Sequence, residues 1–183
     1  MIVLDHPDPA VSAQIPKAAL ARFVTRAKRA ARLEGELSIL LADDKQLKQL
    51  NKQFRGKNKP TDVLSFPAPE DMRELAGDLA LSIDTAAKQA AEFNHSLDEE
   101  LRILLLHGIL HLSGYDHEAD SGEMAAREEE LRTELGLSTN LIHRAQSPKK
   151  KSAKKSAAPR EANRSTRSTT RPKRATMAEK VGR

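Results

Sequence analysis

The segment from Leu97 to about Ser113 constrains the fold more than any other part of the chain, because it predicts a helix that is apolar on nearly every side. Ser96 and Glu99 form a capping box, in which Ser is followed three residues later by Glu, and this box predicts where the helix begins. Apolar residues then surround the helix axis: Leu101, Ile103, Leu104, Leu105, Leu106, Ile109, Leu110 and Leu112. A helix of this kind lies in the middle of a fold and not on its surface. We therefore expect the other elements to pack around it.

Three of the chain's six histidines, His107, His111 and His117, lie close together at the end of this segment. His107 and His111 are four residues apart, so on a helix they share one face and both imidazoles can reach one point. Gly114 predicts that the helix ends there and that the chain turns back, which brings His117 toward the pair. This is the ligand spacing of an open three-histidine zinc site. The pattern predicts a metallohydrolase, with nickel, cobalt and copper as other candidate metals.

The residue after the first histidine indicates what kind of bond such a site would cleave. Zinc peptidases of the His-Glu-x-x-His type have a glutamate at this position, and that glutamate is the general base. Here the position holds Gly108, so we expect hydrolysis of something other than a peptide bond. Two interpretations of Gly108 stay open: close packing of the helix against a strand, and space for a substrate beside the metal.

The other apolar patterns alternate between strand and helix. Short apolar or alternating runs predict strands at residues 2–4, 36–41, 63–66 and 78–83. Periodicity and end signals predict helices at about 16–33, 43–54, 85–93, 97–113 and 122–135, with a loop at 68–75. We therefore predict an α+β fold, a four-stranded mixed sheet packed with about five helices. The apolar helix that carries the histidines is expected to be central.

The charge of the chain divides it into two parts. The net charge is +5, but residues 149–183 contain 13 Lys or Arg and two Glu, so this tail carries +11 and the remainder about −6. From Gln146 onward apolar periodicity disappears, and such a segment cannot bury enough apolar surface to offset its chain entropy. We predict a folded domain over residues 1–146 and a disordered Lys/Arg-rich tail over 147–183. The tail either tethers the protein to RNA through phosphate contacts or is a solubilising extension.

Composition excludes several classes of protein. The chain has no cysteine, so disulfides and thiolate ligands are excluded and a metal must be held by histidine and carboxylate. It has no run of 18 or more apolar residues, and its first residues lack the basic and apolar regions of a secretory signal. We therefore expect a cytoplasmic protein without a membrane span.

Three blocks of sequence together resemble the YbeY family of bacterial rRNA maturation endoribonucleases. The histidine segment 107–117 reads HGILHLSGYDH, and residues 51–67 read NKQFRGKNKPTDVLSFP. The third block is Gly77-Asp78-Leu79. The blocks follow one another in the family's order and spacing, and the resemblance covers about residues 1–145.

The resemblance implies that the domain over residues 1–146 is a zinc-dependent, single-strand-specific endoribonuclease that acts in maturation of the 3′ end of 16S rRNA and in ribosome quality control. It implies one zinc ion per chain, held by His107, His111 and His117, and a functionally important arginine at Arg55. The partners implied are rRNA and the small ribosomal subunit, one small-subunit ribosomal protein, and an rRNA-associated GTPase. Two alternatives stay open: a metallohydrolase of another substrate, and a ribosome-associated factor whose zinc is structural.

Further polar residues have two interpretations each. Arg55 can stabilise charge on a phosphate, or it can be a solvated loop arginine. Asp116 can orient a ligand imidazole or stabilise its own loop. No general base is identified. The remaining histidines, His6, His95 and His143, have no partner at ligand spacing, and we predict that they lie on the surface.

Overall fold

Ten elements are present in the computed structural model, which describes residues 1–117 and 119–138. The strands are β1 (Ile2–Asp5), β2 (Glu36–Ala42), β3 (Val63–Pro67) and β4 (Leu75–Ser82). The helices are α1 (Pro9–Ala13), α2 (Lys17–Ala31), α3 (Asp44–Arg55), α4 (Ile83–Phe93), α5 (Leu97–Leu112) and α6 (Glu123–Leu135). Among these residues no helix is both long and apolar enough to cross a membrane.

The four strands form one mixed sheet in the order β1-β2-β4-β3. Strands β1, β2 and β4 are parallel, and β3 pairs antiparallel with β4 at one edge. The predicted α+β fold with a four-stranded mixed sheet is therefore confirmed. The described chain has six helices instead of about five, because α1 is a five-residue helix that the apolar periodicity did not indicate. Its signals are local: Asp8 accepts a hydrogen bond from the Ala10 N–H, and Pro9 occupies the first helical position.

Helix α5 lies at the centre of the core, as its apolar circumference predicts. It packs on α2, α4 and α6 and on strands β3 and β4. Its apolar side chains between residues 101 and 110 are at most 1% exposed: Leu101, Ile103, Leu104, Leu105, Leu106, Ile109 and Leu110. Half of the predicted capping box is present: the Ser96 hydroxyl accepts a hydrogen bond from the Glu99 N–H, whereas the Glu99 carboxylate accepts hydrogen bonds from Ser138. The burial of α5 fixes the position of the two histidines on its last turns.

The opposite face of the sheet is covered differently. Helix α3 packs there against β3 and β4, and its Leu47 forms a small cluster with Ala42, Leu64 and Ala80. The β1–β2 side of this face stays accessible among the described residues, and Val3 on β1 is 42% exposed. The sheet therefore has one deeply buried face, toward α5, and one face that is half covered by α3.

Two sequence predictions need correction. Strand β4 begins at Leu75 and not at Asp78, because Leu75 pairs with Glu36 beyond a bulge at Ala76 of β4, which shortens the predicted 68–75 loop. The prediction that His6 and His95 are surface residues is also wrong, since their side chains are only 5% and 8% exposed.

Each of the two buried rings has a carboxylate partner. His6 Nε2 lies 3.2 Å from Asp84 Oδ1, and His95 Nε2 lies 2.5 Å from Glu100 Oε2. These hydrogen bonds satisfy the imidazoles away from water. The prediction for His143 and the predictions for the tail fall outside the described residues.

Candidate metal centre

The end of α5 is shaped by a glycine turn that presents the third histidine. Gly114 has a φ of +91°, a conformation that residues with a Cβ rarely adopt. The Tyr115 N–H donates to the Leu110 carbonyl over 3.1 Å and the Gly114 N–H donates to the His111 carbonyl over 3.1 Å. This pattern resembles the Schellman ending of a helix, and it satisfies carbonyls that the last turn would leave free. The turn reverses the chain so that His117 returns to the pair on α5.

The three imidazoles converge, as their spacing predicts. Ring centroids are 4.8 Å apart for His107 and His111, 5.0 Å for His111 and His117, and 5.3 Å for His107 and His117. One ring nitrogen from each residue lies within 4.8 Å of the other two. The Nε2 atoms of His107 and His111 are 3.2 Å apart. Two nitrogens bound tetrahedrally to one zinc ion at its usual bond length are about 3.3 Å apart, so this spacing fits a shared metal.

Hydrogen bonds at the far side of two rings decide which nitrogens face the centre. His107 Nδ1 lies 3.0 Å from the Glu128 carboxylate, and His111 Nδ1 lies 3.0 Å from the Tyr115 carbonyl oxygen. Both oxygens accept hydrogen bonds, so each Nδ1 carries a proton. In neutral rings the two Nε2 atoms then present lone pairs to each other at 3.2 Å. A cation between them removes that repulsion, and this arrangement is typical of histidines that bind a metal through Nε2.

The surroundings of His111 keep it in the neutral form that a metal needs. Burial lowers the pKa of His111 below its ordinary value, and the neighbouring His107 and His117 lower it further. The hydrogen bond to the Tyr115 carbonyl and the charge of Asp116 act in the opposite direction but are weaker. A neutral imidazole binds a metal without first releasing a proton.

Glu128 is the residue of this site that the sequence did not single out. It lies on α6, and its side chain is 13% exposed. Burial raises the pKa of Glu128, but the hydrogen bond and the charge of His107, together with the ion pair to Arg132, hold that pKa below its ordinary value. The carboxylate is therefore ionised. It fixes the proton and the orientation of the His107 ring in the way that carboxylates support metal-bound histidines.

A comparison with known proteins now adds to this geometry. The family model described as "Endoribonuclease YbeY" matches residues 8–136 of the chain. The chain belongs to the YbeY family. The Koribacter versatilis protein named "Endoribonuclease YbeY" is 51% identical over 155 residues, which cover 85% of this chain and 98% of that protein. The Nautilia profundicola protein of the same name is 53% identical over 109 residues, which cover 60% and 78%.

A solved structure supports the same assignment at the level of the fold. The solution structure of TM1509 from Thermotoga maritima matches with a TM-score of 0.51 and 28% identity, and it covers 74% of this chain and 89% of that one. The resemblance to the YbeY family predicted from the three sequence blocks is thus confirmed. The names of the curated relatives describe enzymes that cleave RNA internally, so the chain belongs to a family of RNA-cleaving hydrolases.

Gly108 allows α5 to pack close against the sheet, because glycine has no side chain. A Cβ at this position would lie 2.8 Å from Leu79 Cδ2 and 3.4 Å from the Ser65 hydroxyl. The Ser65 hydroxyl in turn lies 3.5 Å from the Gly108 carbonyl oxygen. Of the two interpretations of Gly108, the structure supports close packing against a strand.

The position of Arg55 in this YbeY-family chain follows from the residue before it. Arg55 is the last residue of α3, and its exposed side chain makes no hydrogen bond or ion pair with the described residues. Phe54 contacts Phe66 of β3 edge to face, with ring centroids 5.0 Å apart. This contact holds the end of α3 against β3, the edge strand of the sheet. Ser65, the residue before Phe66 on β3, faces α5. The role of Arg55 stays a prediction.

Asp116 also has a defined place beside the ligands. Its carbonyl oxygen accepts hydrogen bonds from the N–H groups of Ala119 and Asp120, at 3.0 and 2.9 Å. These bonds stabilise the loop that follows His117, as the second of the two sequence interpretations expects. Its carboxylate acts on His111 through its charge.

Proposed function

We propose that this protein is a zinc-dependent, single-strand-specific endoribonuclease that acts in maturation of the 3′ end of 16S rRNA and in ribosome quality control. Membership in the YbeY family supports the class of reaction. The observation that supports a bound metal is the distance of 3.2 Å between the Nε2 atoms of His107 and His111. Zinc is the metal proposed because three neutral imidazoles suit it and the chain has no cysteine ligand.

The residues of the site would divide the work as follows. His107, His111 and His117 would hold the zinc ion, which when bound supplies Lewis acidity and activates water for hydrolysis. Glu128 keeps a proton on His107 Nδ1, and the Tyr115 carbonyl keeps one on His111 Nδ1. Both rings therefore direct Nε2 inward without rotating.

Arg55 would act on the substrate and not on the metal. Cleavage of a phosphodiester builds negative charge on the non-bridging oxygens, and a guanidinium can bind two of those oxygens at once. Arg55 is exposed and has no described ion-pair partner that would compete for it. Lys57 and Lys59 follow it in the same loop, are exposed as well, and would guide the RNA strand.

The proposed partners follow from the proposed substrate. They are rRNA in the small ribosomal subunit, one small-subunit ribosomal protein and an rRNA-associated GTPase, and the place of action is the cytoplasm. The basic tail would add sequence-independent phosphate contacts.

The test measures cleavage of a single-stranded RNA that contains the 3′ end of 16S rRNA, together with a duplex of the same sequence. Purified protein is expected to contain one zinc ion per chain, to lose activity on chelation and to regain it when zinc is returned. His111→Ala should abolish cleavage, and Arg55→Ala should lower kcat/KM by about 10²–10³. Arg26→Ala, at an exposed position on α2, is the matched control and should cleave normally.

Two results would contradict the proposal. Unchanged cleavage after chelation or in His111→Ala would remove the metal from the reaction. Zinc-loaded protein that never cleaves RNA, yet needs its zinc to bind the small subunit, would indicate a ribosome-associated factor with a structural metal.

A further inference from the structure

An open groove lies on the sheet face away from the metal centre. Its volume is about 440 Å³, which is in the range of small-ligand sites. Its floor is the accessible part of the sheet, where Ser38 of β2 and Asp78 of β4 are register partners. Its apolar walls are formed by Val3, Leu40, Leu50, Phe54 and Phe66. The groove is therefore an apolar slot with one hydroxyl and one carboxylate in its floor.

The most exposed part of this slot is aromatic. Phe54, one of four phenylalanines in the chain, is 58% exposed. Its ring is held in place by Phe66, edge to face. An aromatic ring that is fixed but open to solvent offers a stacking surface for a flat ligand. Unpaired nucleobases are such ligands, and they stack on aromatic side chains whatever their sequence.

The charge around Phe54 favours a nucleic acid over a protein segment. Residues 44–59, which comprise α3 and the start of the next loop, contain six Lys or Arg and one Asp. The rest of the domain is acidic, since residues 1–148 carry a net charge of about −6. All six basic side chains are exposed. A strand with negative phosphates is attracted to this helix, while Asp78 in the groove floor repels phosphate and leaves the slot to a base.

The groove is also connected to the metal centre through one strand. Strand β3 is the edge of the sheet, and alternate side chains point to opposite faces. Ser65 faces α5 and lies against Gly108, next to the first metal-ligand histidine. Phe66, the next residue, lines the groove. An RNA strand that passes around this edge can place one base in the groove and a phosphate farther along the strand near the metal centre.

We propose that this groove binds an unpaired base of the RNA substrate by stacking on Phe54, and so positions the strand for cleavage on the other side of β3. The proposal rests on the proposed function, because it assumes that single-stranded RNA is the substrate. It adds a substrate-binding surface on the sheet face opposite the three histidines, next to Arg55.

The experiment uses the full-length, zinc-loaded chain and short unpaired RNA oligonucleotides that contain 2-aminopurine, whose fluorescence is quenched when the base stacks. The variants are Phe54→Ala and Phe54→Leu, the second of which keeps an apolar side chain but no ring. Met72→Ala is the matched control, because Met72 is 43% exposed and lies outside the groove. Binding affinity, quenching, kcat and KM are measured for each protein.

Wild type and Met72→Ala are expected to bind the RNA and to quench it equally. Phe54→Ala should weaken binding about 5- to 100-fold, which corresponds to the loss of one stacked base, and should raise KM with little change in kcat. Phe54→Leu should recover little of the quenching, because its side chain cannot stack. Because the contact of Phe54 with Phe66 also holds the end of α3, Phe54→Leu keeps an apolar side chain there, and its melting temperature should stay close to that of wild type.

The outcomes separate this proposal from the proposed function. If Phe54→Ala binds, quenches and cleaves like wild type, the groove does not hold RNA, and the nuclease assignment stands. A protein segment as the true occupant of the groove would give this same result. If binding and quenching depend on Phe54 but zinc-loaded protein cleaves nothing, the groove stands and the nuclease assignment is wrong. Wild-type protein that binds no single-stranded RNA would overturn both.

Discussion

At the scale of single residues, the candidate metal centre depends on groups outside the three histidines. A free imidazole can rotate and can carry its proton on either nitrogen, so three histidines at the right spacing are not yet a site. Glu128 and the Tyr115 carbonyl remove that freedom for two of the rings. Arg132 in turn holds Glu128, and its own side chain is 8% exposed. The orientation of His107 therefore depends on Glu128 and Arg132, both on α6.

Replacing Glu128 tests this support directly. Glu128→Gln removes the negative charge beside His107 and allows the amide to present a donor instead of an acceptor. Zinc affinity, measured by competition with a chromophoric chelator, should fall about 10- to 100-fold.

Glu130→Gln is the matched control for that measurement. Glu130 lies on the same helix, is 64% exposed and pairs with Arg127, away from the ligands. Its zinc affinity should equal that of wild type. Equal affinities for the Glu128 and Glu130 variants would show that the carboxylate at 128 does not support the site.

At the scale of elements, helices α3 and α4 begin next to each other, at the carboxyl ends of the parallel strands β2 and β4. Asp44 and Asp84 lie in the first turns of these two helices, and each is bound by groups of the other segment. Asp44 accepts hydrogen bonds from the Ser82 and Thr85 hydroxyls and from Lys88, at 2.5, 2.6 and 2.7 Å. Asp84 accepts from the Asp44 N–H over 2.9 Å. In many α/β folds this edge binds a ligand's phosphate, but here the protein's own carboxylates occupy the helix starts.

This pairing predicts a pH-dependent contribution to stability. Partial burial raises the pKa of Asp44, but hydrogen bonds from Lys88, Ser82 and Thr85 outweigh it and hold the pKa below its ordinary value of 3.8. A lowered pKa in the folded state gives stability that is present above about pH 4 and is lost as the pH falls through the folded pKa. Asp44→Asn should therefore cost about 1–2 kcal/mol in free energy of unfolding at pH 7. The difference from wild type should shrink in acid.

Urea denaturation of both proteins between pH 7 and pH 2.5 measures that difference. Asp43→Asn is the control, because Asp43 is the N-cap of α3 and asparagine caps a helix equally well. A difference between wild type and Asp44→Asn that stays constant down to the lowest pH would contradict the electrostatic account.

The pairing of β3 with β4 depends on a glycine of β4. Gly77 has a φ of +131°, and a Cβ there would lie 2.3 Å from the Phe66 carbonyl oxygen and 3.1 Å from the Ala68 nitrogen. Both neighbours are backbone atoms and cannot move without opening the pairing of β3 with β4. Gly77→Ala should therefore destabilise the fold by about 3–5 kcal/mol, measured by urea denaturation.

Gly136→Ala provides the comparison. Gly136 also has a positive φ, +73°, but nothing lies within 4 Å of a Cβ at that position. Only the conformational penalty remains, and we expect a loss of about 1–2 kcal/mol. Equal losses for the two variants would mean that the close approach at Gly77 carries no extra cost.

At the scale of the whole molecule, the features that the sequence predicted are those encoded in neighbouring residues. The apolar circumference of α5, the four-residue spacing of two histidines and the glycine turn are local patterns, and all three are present in the structure. Glu128 could not be predicted, because it is one of three successive glutamates and only the docking of α6 on α5 selects it. The burial of His6 likewise depends on Asp84, which is 78 residues away in the chain.

The last prediction concerns how the acidic domain and the basic tail share the binding of RNA. Each phosphate contact that a tail makes with a single strand contributes about −0.7 to the slope of log affinity against log salt concentration. The tail from 149 to 183 carries 13 Lys or Arg. If only four of them contact RNA, deleting the tail reduces the magnitude of the slope by about 2.8.

A full-length chain in which these Lys and Arg are replaced by Gln separates charge from length. It should lose as much of the slope as the deletion does, while the quenching that depends on Phe54 should persist in both. That result would mean that the tail supplies attraction and the domain supplies placement. If the slope is unchanged in both variants, the domain itself attracts the RNA, and α3 is its basic surface. The tail would then be a solubilising extension.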